Sequence, residues 1–231
     1  MKKDRRGLRV LYIRLSYNFN ENTPFPAGLE SIKIETIHEM AKGSISNVFR
    51  LTICNHTGTH IDGPNHFSLK KKTIDRFNIE DFIYTDPLLL DIPKHDGGLI
   101  DVKDLGPHFN SIKKCDLLLV RTGFSKIRRQ DPRRYIERSP GFSAAAAACI
   151  AGGFPSLRAM AMDTLSFACS LKLKEGIRAH QILLDECSRD IFLIEDINLD
   201  FDLSRLKQVM AIPLFVENID SAPCTVFALT D

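Results

Sequence analysis

Residues 55–67, "NHTGTHIDGPNHF", concentrate three histidines and one aspartate in thirteen positions. The polar side chains are His56, His60, Asp62 and His66, in the pattern H-x3-H-x-D-x3-H. A helix would place only the first two histidines on one face, and a continuous strand would spread the first three polar residues over about 20 Å. Metal–ligand bonds are only about 2.0–2.2 Å long, so neither regular element can gather them on one ion. The segment must therefore turn if it binds a metal.

Two turns are available in this segment. Gly58 can bend the chain between the first two histidines, and Gly63-Pro64 can turn it again. Two imidazoles and a carboxylate suit Zn²⁺, Mn²⁺ or a similar divalent ion, which lowers the pKa of a coordinated water in catalytic sites. His66 is interpreted as a catalytic proton carrier. A polar loop with surface histidines is the alternative, but three of the chain's seven histidines lie here, which favours a metal site.

The composition is that of a globular protein. The 231 residues are 44% hydrophobic, which predicts one large domain over residues 1–231. The net charge of +2 gives no reason to expect nucleic acid or a membrane as a partner. The start lacks the long apolar region of a signal peptide, and the six cysteines include no CxxC pair. We therefore expect reduced thiols and a cytoplasmic protein.

Apolar runs of strand length alternate with helix candidates along the chain. Strands are predicted at residues 8–15, 48–53, 87–92, 115–122, 157–164, 190–197 and 209–216. Helices are predicted at residues 79–85, 132–139, 139–154 and 178–187. In residues 139–154, Ser143 is the predicted N-cap of an alanine run that ends at Gly152-Gly153. This alternation predicts the α/β class.

The opening segment resembles the HxGTHxDxPxHF signature of the putative cyclase family, which includes bacterial kynurenine formamidases and isatin hydrolases. Further segments resemble that family in the same order along the chain: "RLSYNFNENTPFPAG", "TIDRFNIEDF", "LIDVKDL", "LLLVRTG", "MAMDTLSF", "HQILL", "FLIEDINL" and "SAPCTVFAL". Together they cover nearly the whole chain. The resemblance implies a three-layer β/β/α fold, similar to a swivelling domain, with mixed sheets in one domain. It also implies a homodimer or a larger homo-oligomer.

The resemblance further implies the residues of the site. The implied metal ligands are His56, His60, Asp62, His180 and Glu195. Asp62 would bridge two ions, one held with the two histidines of the opening segment and one held with the two later residues. His66 matches the residue proposed as general acid/base in the family. Asp163 and Ser166 match its "DTxS" segment and are expected to support the site.

The two later ligands also have support from their sequence context. His180 lies in an amphipathic candidate helix, and Glu195 interrupts the apolar run "IFLIEDI". A buried carboxylate needs a partner, and a cation supplies one. An exposed helix histidine and an acid at a strand end are the alternatives. The segment between them is longer than is usual in the family, so Asp185 and Glu186 remain alternative acids.

Some positions that shape the substrate pocket differ from the family pattern. Arg14 and Tyr17 stand where an Asp and a His or Gln are common. The chain has no tryptophan, so aromatic pocket walls are expected from residues such as Tyr17, Phe25 or Phe67. The substrate is therefore less defined by the resemblance than the metal ligands are.

The predicted function is hydrolysis of a small amide by metal-activated water, with one or two divalent ions and His66 as proton carrier. The representative substrate is an aryl formamide such as N-formylkynurenine, as in tryptophan catabolism. Glu195 favours this reaction because isatin hydrolases tend to have Gln there. A cyclic amide, a lactone or another small ester is the alternative substrate. A non-catalytic metal-binding protein is the alternative from another class, although a structural site does not require His66.

Overall fold

The computed structural model of the protein describes residues 11–231. Its strands are β1 (Leu11–Arg14), β2 (Lys33–His38), β3 (Val48–Thr52), β4 (His60–Asp62), β5 (Ile83–Tyr84), β6 (Pro87–Asp91), β7 (Leu99–Ile100), β8 (Leu117–Arg121), β9 (Gly141–Phe142), β10 (Ala159–Met162), β11 (Phe192–Glu195), β12 (Leu206–Pro213) and β13 (Ser221–Thr230). Its α-helices are α1 (Val102–Leu105), α2 (Phe109–Ile112), α3 (Phe124–Gln130), α4 (Pro132–Arg138), α5 (Ala144–Gly153) and α6 (Leu173–His180). Within this part of the chain, none of the helices is long and apolar enough to span a membrane.

One large mixed sheet organises the molecule. Its nine strands follow the order β5-β12-β13-β4-β11-β10-β8-β6, with β1 paired to β13. Strands β6, β8, β10 and β11 are parallel, whereas β4, β5, β12 and β13 pair antiparallel. Strand β12 also contacts β6, so the sheet curls until it is nearly closed as a barrel.

Both faces of the parallel strands β8, β10 and β11 are buried, and successive side chains enter two different cores. In β8, Leu117 and Leu119 join the core inside the curled sheet, whereas Leu118 and Val120 join the core beneath α5 and α6. This alternation follows from the two-residue period of a strand. The curled sheet therefore forms two β layers around the inner core, and α5 and α6 form a helical layer outside one of them. This arrangement confirms the predicted α/β class and the β/β/α order.

Six of the seven predicted strands are present in shorter form, and the strand predicted at 209–216 is shifted to Leu206–Pro213; residues 8–10 lie outside the described residues. Helix α5 confirms the alanine-run prediction, since the Ser143 hydroxyl accepts the Ala146 N–H at 3.0 Å. The helix predicted at 79–85 is wrong beyond one short turn, because Ile83 and Tyr84 pair with β12 instead. The helix predicted at 178–187 begins earlier, at Leu173, and continues after His180 as a π-helical turn, Gln181–Glu186.

A second feature, the β2–β3 hairpin, projects from this body. Its two strands pair with each other, and every residue of both is exposed. Its exposed large apolar side chains are Ile34, Ile37, Met40, Ile45, Val48, Phe49 and Leu51. Neither face of the hairpin is covered by residues 11–231.

Candidate metal centre

The segment 55–67 folds as a turn, a short strand and a second turn. Gly58 has φ +65°, and a Cβ there would lie 2.5 Å from the Phe19 ring, so the position requires glycine. Strand β4 follows, and a 3₁₀ turn, Pro64–His66, begins directly after Gly63. Both predicted turns are confirmed.

Strand periodicity sets which of these side chains meet. Strands β4 and β11 are antiparallel neighbours with His60 opposite Glu195. Ile61 and Ile194 enter the core inside the curled sheet. His60, Asp62 and Glu195 therefore leave the sheet on the opposite face, towards α6. His180, the final residue of α6, faces them.

The five predicted ligands form two groups that share Asp62. His56, His60 and Asp62 form one group, and Asp62, His180 and Glu195 form the other; within each group the candidate ligand atoms lie within 4.8 Å of one another. The Asp62 Oδ1 lies 3.0 Å from His56 Nδ1 and 3.5 Å from His60 Nε2. The Glu195 carboxylate lies 3.2 Å from His60 Nε2 and 3.4 Å from His180 Nε2. This geometry allows Asp62 to contact both positions.

Hydrogen bonds outside the two groups orient the imidazoles. The Nδ1–H of His60 donates to the Gly58 carbonyl at 2.9 Å, and that of His180 donates to the Gly176 carbonyl at 2.8 Å. Both bonds leave Nε2 directed at the carboxylates, as is typical of metal-binding histidines. Gly176 also requires glycine, because a Cβ there would lie 2.3 Å from Ala168 Cα.

Glu195 receives two further hydrogen bonds on Oε1, from the Ser166 hydroxyl at 3.0 Å and from the Phe167 N–H at 2.7 Å. Burial alone would raise the pKa of Glu195, but the adjacent His180 and His60 imidazoles hold it well below its usual range. For His180, burial lowers the pKa, and the Glu195 carboxylate raises it by more. The carboxylate is therefore kept ionised in a buried site.

The buried polar atoms of the two groups fit a cation. His60 Nε2 and Asp62 Oδ1 are buried and make no hydrogen bond within residues 11–231. Unsatisfied buried polar atoms are costly, and a divalent ion would engage both. Imidazole nitrogen and carboxylate oxygen are the donors that Zn²⁺ and Mn²⁺ accept.

His66 is held differently from the candidate ligands. Its Nδ1 bonds to Asp220 Oδ2 at 2.5 Å, and its Nε2 lies 3.9 Å from Asp62 Oδ2. Asn55 donates to the other oxygen of Asp220 at 3.0 Å, and Ser221 bonds to His56 Nε2 at 3.0 Å. Burial raises the pKa of Asp220, but the neighbouring His56 and His66 imidazoles lower it by more. An ionised Asp220 therefore fixes the orientation of His66.

Sequence reasoning did not assign Asp220 or Ser221 to the site. Both lie about 160 residues from the opening segment, and no spacing pattern connects them with it. Pairing of β13 with β4, with Ser221 opposite Asp62, brings them to the site. Only knowledge of that strand pairing would have identified them.

A cavity of about 260 Å³ opens onto both groups. Its polar end is formed by His56, Asp62, His66, Ser166, His180 and Glu195, and its apolar wall by Pro26, Ala27, Leu29, Phe67, Ala168 and Ile177. Phe67 thus lines the cavity, as expected. Tyr17 does not, because its ring packs 3.6 Å from the Arg128 guanidinium, and neither Phe25 nor the exposed Arg14 is among the lining residues.

Of the other residues predicted near the site, only Ser166 contacts a candidate ligand, whereas Asp163, Asp185 and Glu186 lie elsewhere. Glu186 is exposed and pairs with Arg178, and Asp185 is exposed. Neither alternative acid therefore reaches the site that Glu195 occupies. Ser166 contacts Glu195 directly. Asp163 accepts hydrogen bonds from the turn between β8 and α3 instead.

Comparisons with known proteins agree on one family and one fold. The family model described as "Putative cyclase" matches residues 13–168. Cyclase-like protein 1 of Arabidopsis thaliana is 24% identical over 199 residues, covering 85% of this chain and 74% of that protein. Isatin hydrolase A from Labrenzia aggregata superposes with a TM-score of 0.79 at 17% identity, covering 96% of this chain and 94% of the other. A predicted metal-dependent hydrolase from Bacillus stearothermophilus gives 0.74 at 21% identity, covering 96% and 98%.

Proposed function

Because the chain belongs to the putative cyclase family, we propose that it is a metal-dependent hydrolase of a small amide. The representative substrate is an aryl formamide such as N-formylkynurenine. The proposal is carried by one observation: two ligand groups that share Asp62 open, together with His66, onto a cavity that has an apolar wall. The groups offer binding positions for cations, His66 offers proton transfer, and the wall offers a surface for an aromatic ring.

We propose two divalent cations, Zn²⁺ or Mn²⁺, one at each group. His56, His60 and Asp62 would hold one, and Asp62, His180 and Glu195 the other. When bound, such ions polarise an amide carbonyl and lower the pKa of water to near neutrality. His60 Nε2 and Asp62 Oδ1, which have no hydrogen-bond partner among residues 11–231, support this assignment.

His66 is the proposed general acid/base. In hydrolysis, the oxygen of water bonds to the carbonyl carbon, the C–N bond breaks, and one proton moves from water to the departing nitrogen. The Nε2 of His66 faces the cavity while Asp220 holds Nδ1, so the same nitrogen can accept that proton and then donate it. For an aryl formamide the products are formate and an aryl amine.

A cyclic amide such as isatin is the second candidate substrate. Among the described residues, the cavity lining contains no lysine or arginine. The free carboxylate of N-formylkynurenine would therefore lack a basic partner there, whereas a neutral cyclic amide requires none. Ring opening of such an amide uses the same water and the same proton transfer to nitrogen.

The exposed β2–β3 hairpin supports a homodimer. Its charged side chains pair with each other, as in Lys33–Glu30 at 3.0 Å and Arg50–Glu35 at 3.6 Å, so it offers an apolar surface without a net charge. A second exposed apolar patch, formed by Leu171, Leu173 and Ile177, lies beside the cavity. We propose that the hairpin of one copy covers this patch on the other. Leu51→Glu should convert a dimer to a folded monomer in analytical ultracentrifugation.

The large nine-stranded sheet supports the proposal of one domain over residues 1–231. Strand β1 pairs with β13, and β4 lies between β11 and β13. Early and late segments of the chain thus share one curled sheet and its cores. A stable fragment that lacks β13 would contradict this proposal.

One experiment tests the proposed activity. Metal content is measured in the purified protein, and formate release from N-formylkynurenine and ring opening of isatin are measured before and after treatment with a chelator. We expect bound metal and hydrolysis that the chelator abolishes and Zn²⁺ or Mn²⁺ restores. Metal without hydrolysis of any small amide or ester would favour a non-catalytic metal-binding protein. Absence of metal binding would overturn both.

A further inference from the structure

Asp196, the residue after Glu195, is completely buried and has an unusual backbone conformation. Its φ of +52° is one of two positive values at non-glycine positions in residues 11–231. A positive φ is uncommon for a residue with a side chain, although aspartate adopts it more readily than most residues do. Contacts of both the side chain and the main chain of Asp196 stabilise it here.

Two helices bind the Asp196 carboxylate. Arg128 of α3 donates to both oxygens, from Nε at 2.6 Å and from an Nη at 2.7 Å. The hydroxyl of Tyr135, on α4, donates at 2.7 Å. Burial raises the pKa of Tyr135 well above its usual value, so the hydroxyl remains a donor. The carboxylate is therefore fixed by three charge-assisted hydrogen bonds.

The main chain of Asp196 is fixed to two other strand ends. Its N–H donates to the Thr164 carbonyl at 2.8 Å, just beyond β10. Its carbonyl accepts from the Thr59 hydroxyl at 2.6 Å, and Thr59 directly precedes His60. Tyr17 donates its N–H to the same hydroxyl at 3.0 Å, and its ring packs on Arg128. One residue thus links the backbone of Glu195 with that of His60.

We propose that Arg128, Tyr135 and Asp196 are positioning residues of the metal centre. Arg128 and Tyr135 hold Asp196 in its left-handed conformation. This conformation directs the carboxylate of the preceding residue, Glu195, at the group of Asp62, His180 and Glu195. The Asp196 carbonyl, through Thr59, also holds His60 opposite Glu195. None of the three lines the cavity, so they act on the ligands and not on the substrate. The inference rests on the proposed function, because it requires that Glu195 and His60 bind metal.

Tyr135→Phe tests the proposal with a small change. It removes the Tyr135 hydroxyl that donates to Asp196 and leaves the aromatic ring in the core. Tyr84→Phe is the matched control, since Tyr84 is equally buried and its hydroxyl has no hydrogen-bond partner within residues 11–231. Binding of Zn²⁺ to chelator-treated protein is measured by calorimetric titration for both variants and the wild type.

We expect Tyr135→Phe to weaken Zn²⁺ binding at the group of Asp62, His180 and Glu195 about 10-fold, and Tyr84→Phe to leave Zn²⁺ binding at both groups unchanged. Asp196→Asn should weaken it by about 10- to 100-fold. Adding Tyr135→Phe to Asp196→Asn should have little further effect, because both act through one carboxylate.

The outcomes separate this inference from the proposed function. If the wild type binds no Zn²⁺, the metal centre itself fails. If the wild type binds two ions and Tyr135→Phe binds them with unchanged affinity, the positioning role is wrong while the metal centre stands. A lower melting temperature of Tyr135→Phe with unchanged Zn²⁺ affinity would likewise overturn the positioning role.

Discussion

Two neighbouring parallel strands each lead to a buried carboxylate, and the two carboxylates have opposite properties. Asp163 follows β10, Glu195 ends β11, and both are almost completely inaccessible to solvent. Asp163 accepts hydrogen bonds from the main-chain N–H groups of Thr122 and Gly123 at 2.7 and 3.0 Å. Its pKa is raised, because burial outweighs these neutral donors. The pKa of Glu195 is lowered, because its partners include two imidazoles.

The difference shows which buried acid can bind a ligand. Backbone N–H groups cannot move away from Asp163 or give up their protons, so that carboxylate is committed to holding the turn between β8 and α3. Imidazoles can lose a proton and present a lone pair. The surroundings of Glu195 can therefore exchange protons for a metal ion, which those of Asp163 cannot.

Asp62→Asn should have the largest effect, because Asp62 belongs to both ligand groups. We expect loss of both metal positions and a fall in kcat/KM of at least about 10⁴-fold. Metal analysis of the purified variant and formate release check this. Asp91→Asn is the control, since Asp91 is an exposed carboxylate paired with Arg121. Full metal content in Asp62→Asn would refute the shared-ligand assignment.

His66→Ala should separate chemistry from metal binding. The proton carrier is lost while both ligand groups remain, so kcat should fall about 10²- to 10³-fold at unchanged metal content. The exposed His95 provides a matched His95→Ala control with wild-type turnover. Loss of metal in His66→Ala would show that His66 is a ligand and that the acid/base assignment is wrong.

Paired amide substitutions test the comparison of the two acids directly. Glu195→Gln keeps an oxygen for the donors at Ser166 and Phe167 but loses the charge, so Zn²⁺ affinity should fall about 10- to 100-fold with little change in melting temperature. Asp163→Asn should instead lower stability without affecting metal binding, because the new NH₂ group would face the backbone N–H donors of Thr122 and Gly123. We expect the free energy of unfolding to fall by about 1–3 kcal/mol and the melting temperature by roughly 3–10 °C, at unchanged Zn²⁺ affinity. Similar behaviour of the two variants would break the comparison.

Metal itself should raise the stability of the wild type. When Zn²⁺ is added back to chelator-treated protein at about 100 times its Kd, each site contributes about 2.7 kcal/mol, which corresponds to a rise in melting temperature of roughly 5–10 °C per site. Differential scanning calorimetry measures it. The rise should be absent in Asp62→Asn and retained in Asp163→Asn, and equal rises in these two variants would contradict the assignment.

Much of the site could be predicted from local sequence. His56, His60, Asp62 and His66 lie within eleven residues, and turn-forming residues between them leave few other arrangements. Strands such as β8 were predictable because both faces are buried and the run is therefore continuously apolar. Such features depend on neighbouring residues, which the sequence displays directly.

The remainder depended on contacts between distant segments. Asp220 reaches His66 only because β13 pairs with β4, and Ile83 joins β12 instead of extending a helix. The π-helical turn after His180 likewise has no local signal, since its residues are ordinary helix formers. At Ile83, pairing with β12 overrode the local preference for a helix.

Strand β13 has a consequence for the order in which the molecule can assemble. It lies in the interior of the sheet, between β12 and β4, yet it follows the other twelve strands along the chain. During synthesis, the edges of β1, β4 and β12 that pair with β13 therefore remain unpaired until residues 221–230 have left the ribosome. Unpaired strand edges favour misassembly, so the risk is greatest before β13 pairs with them.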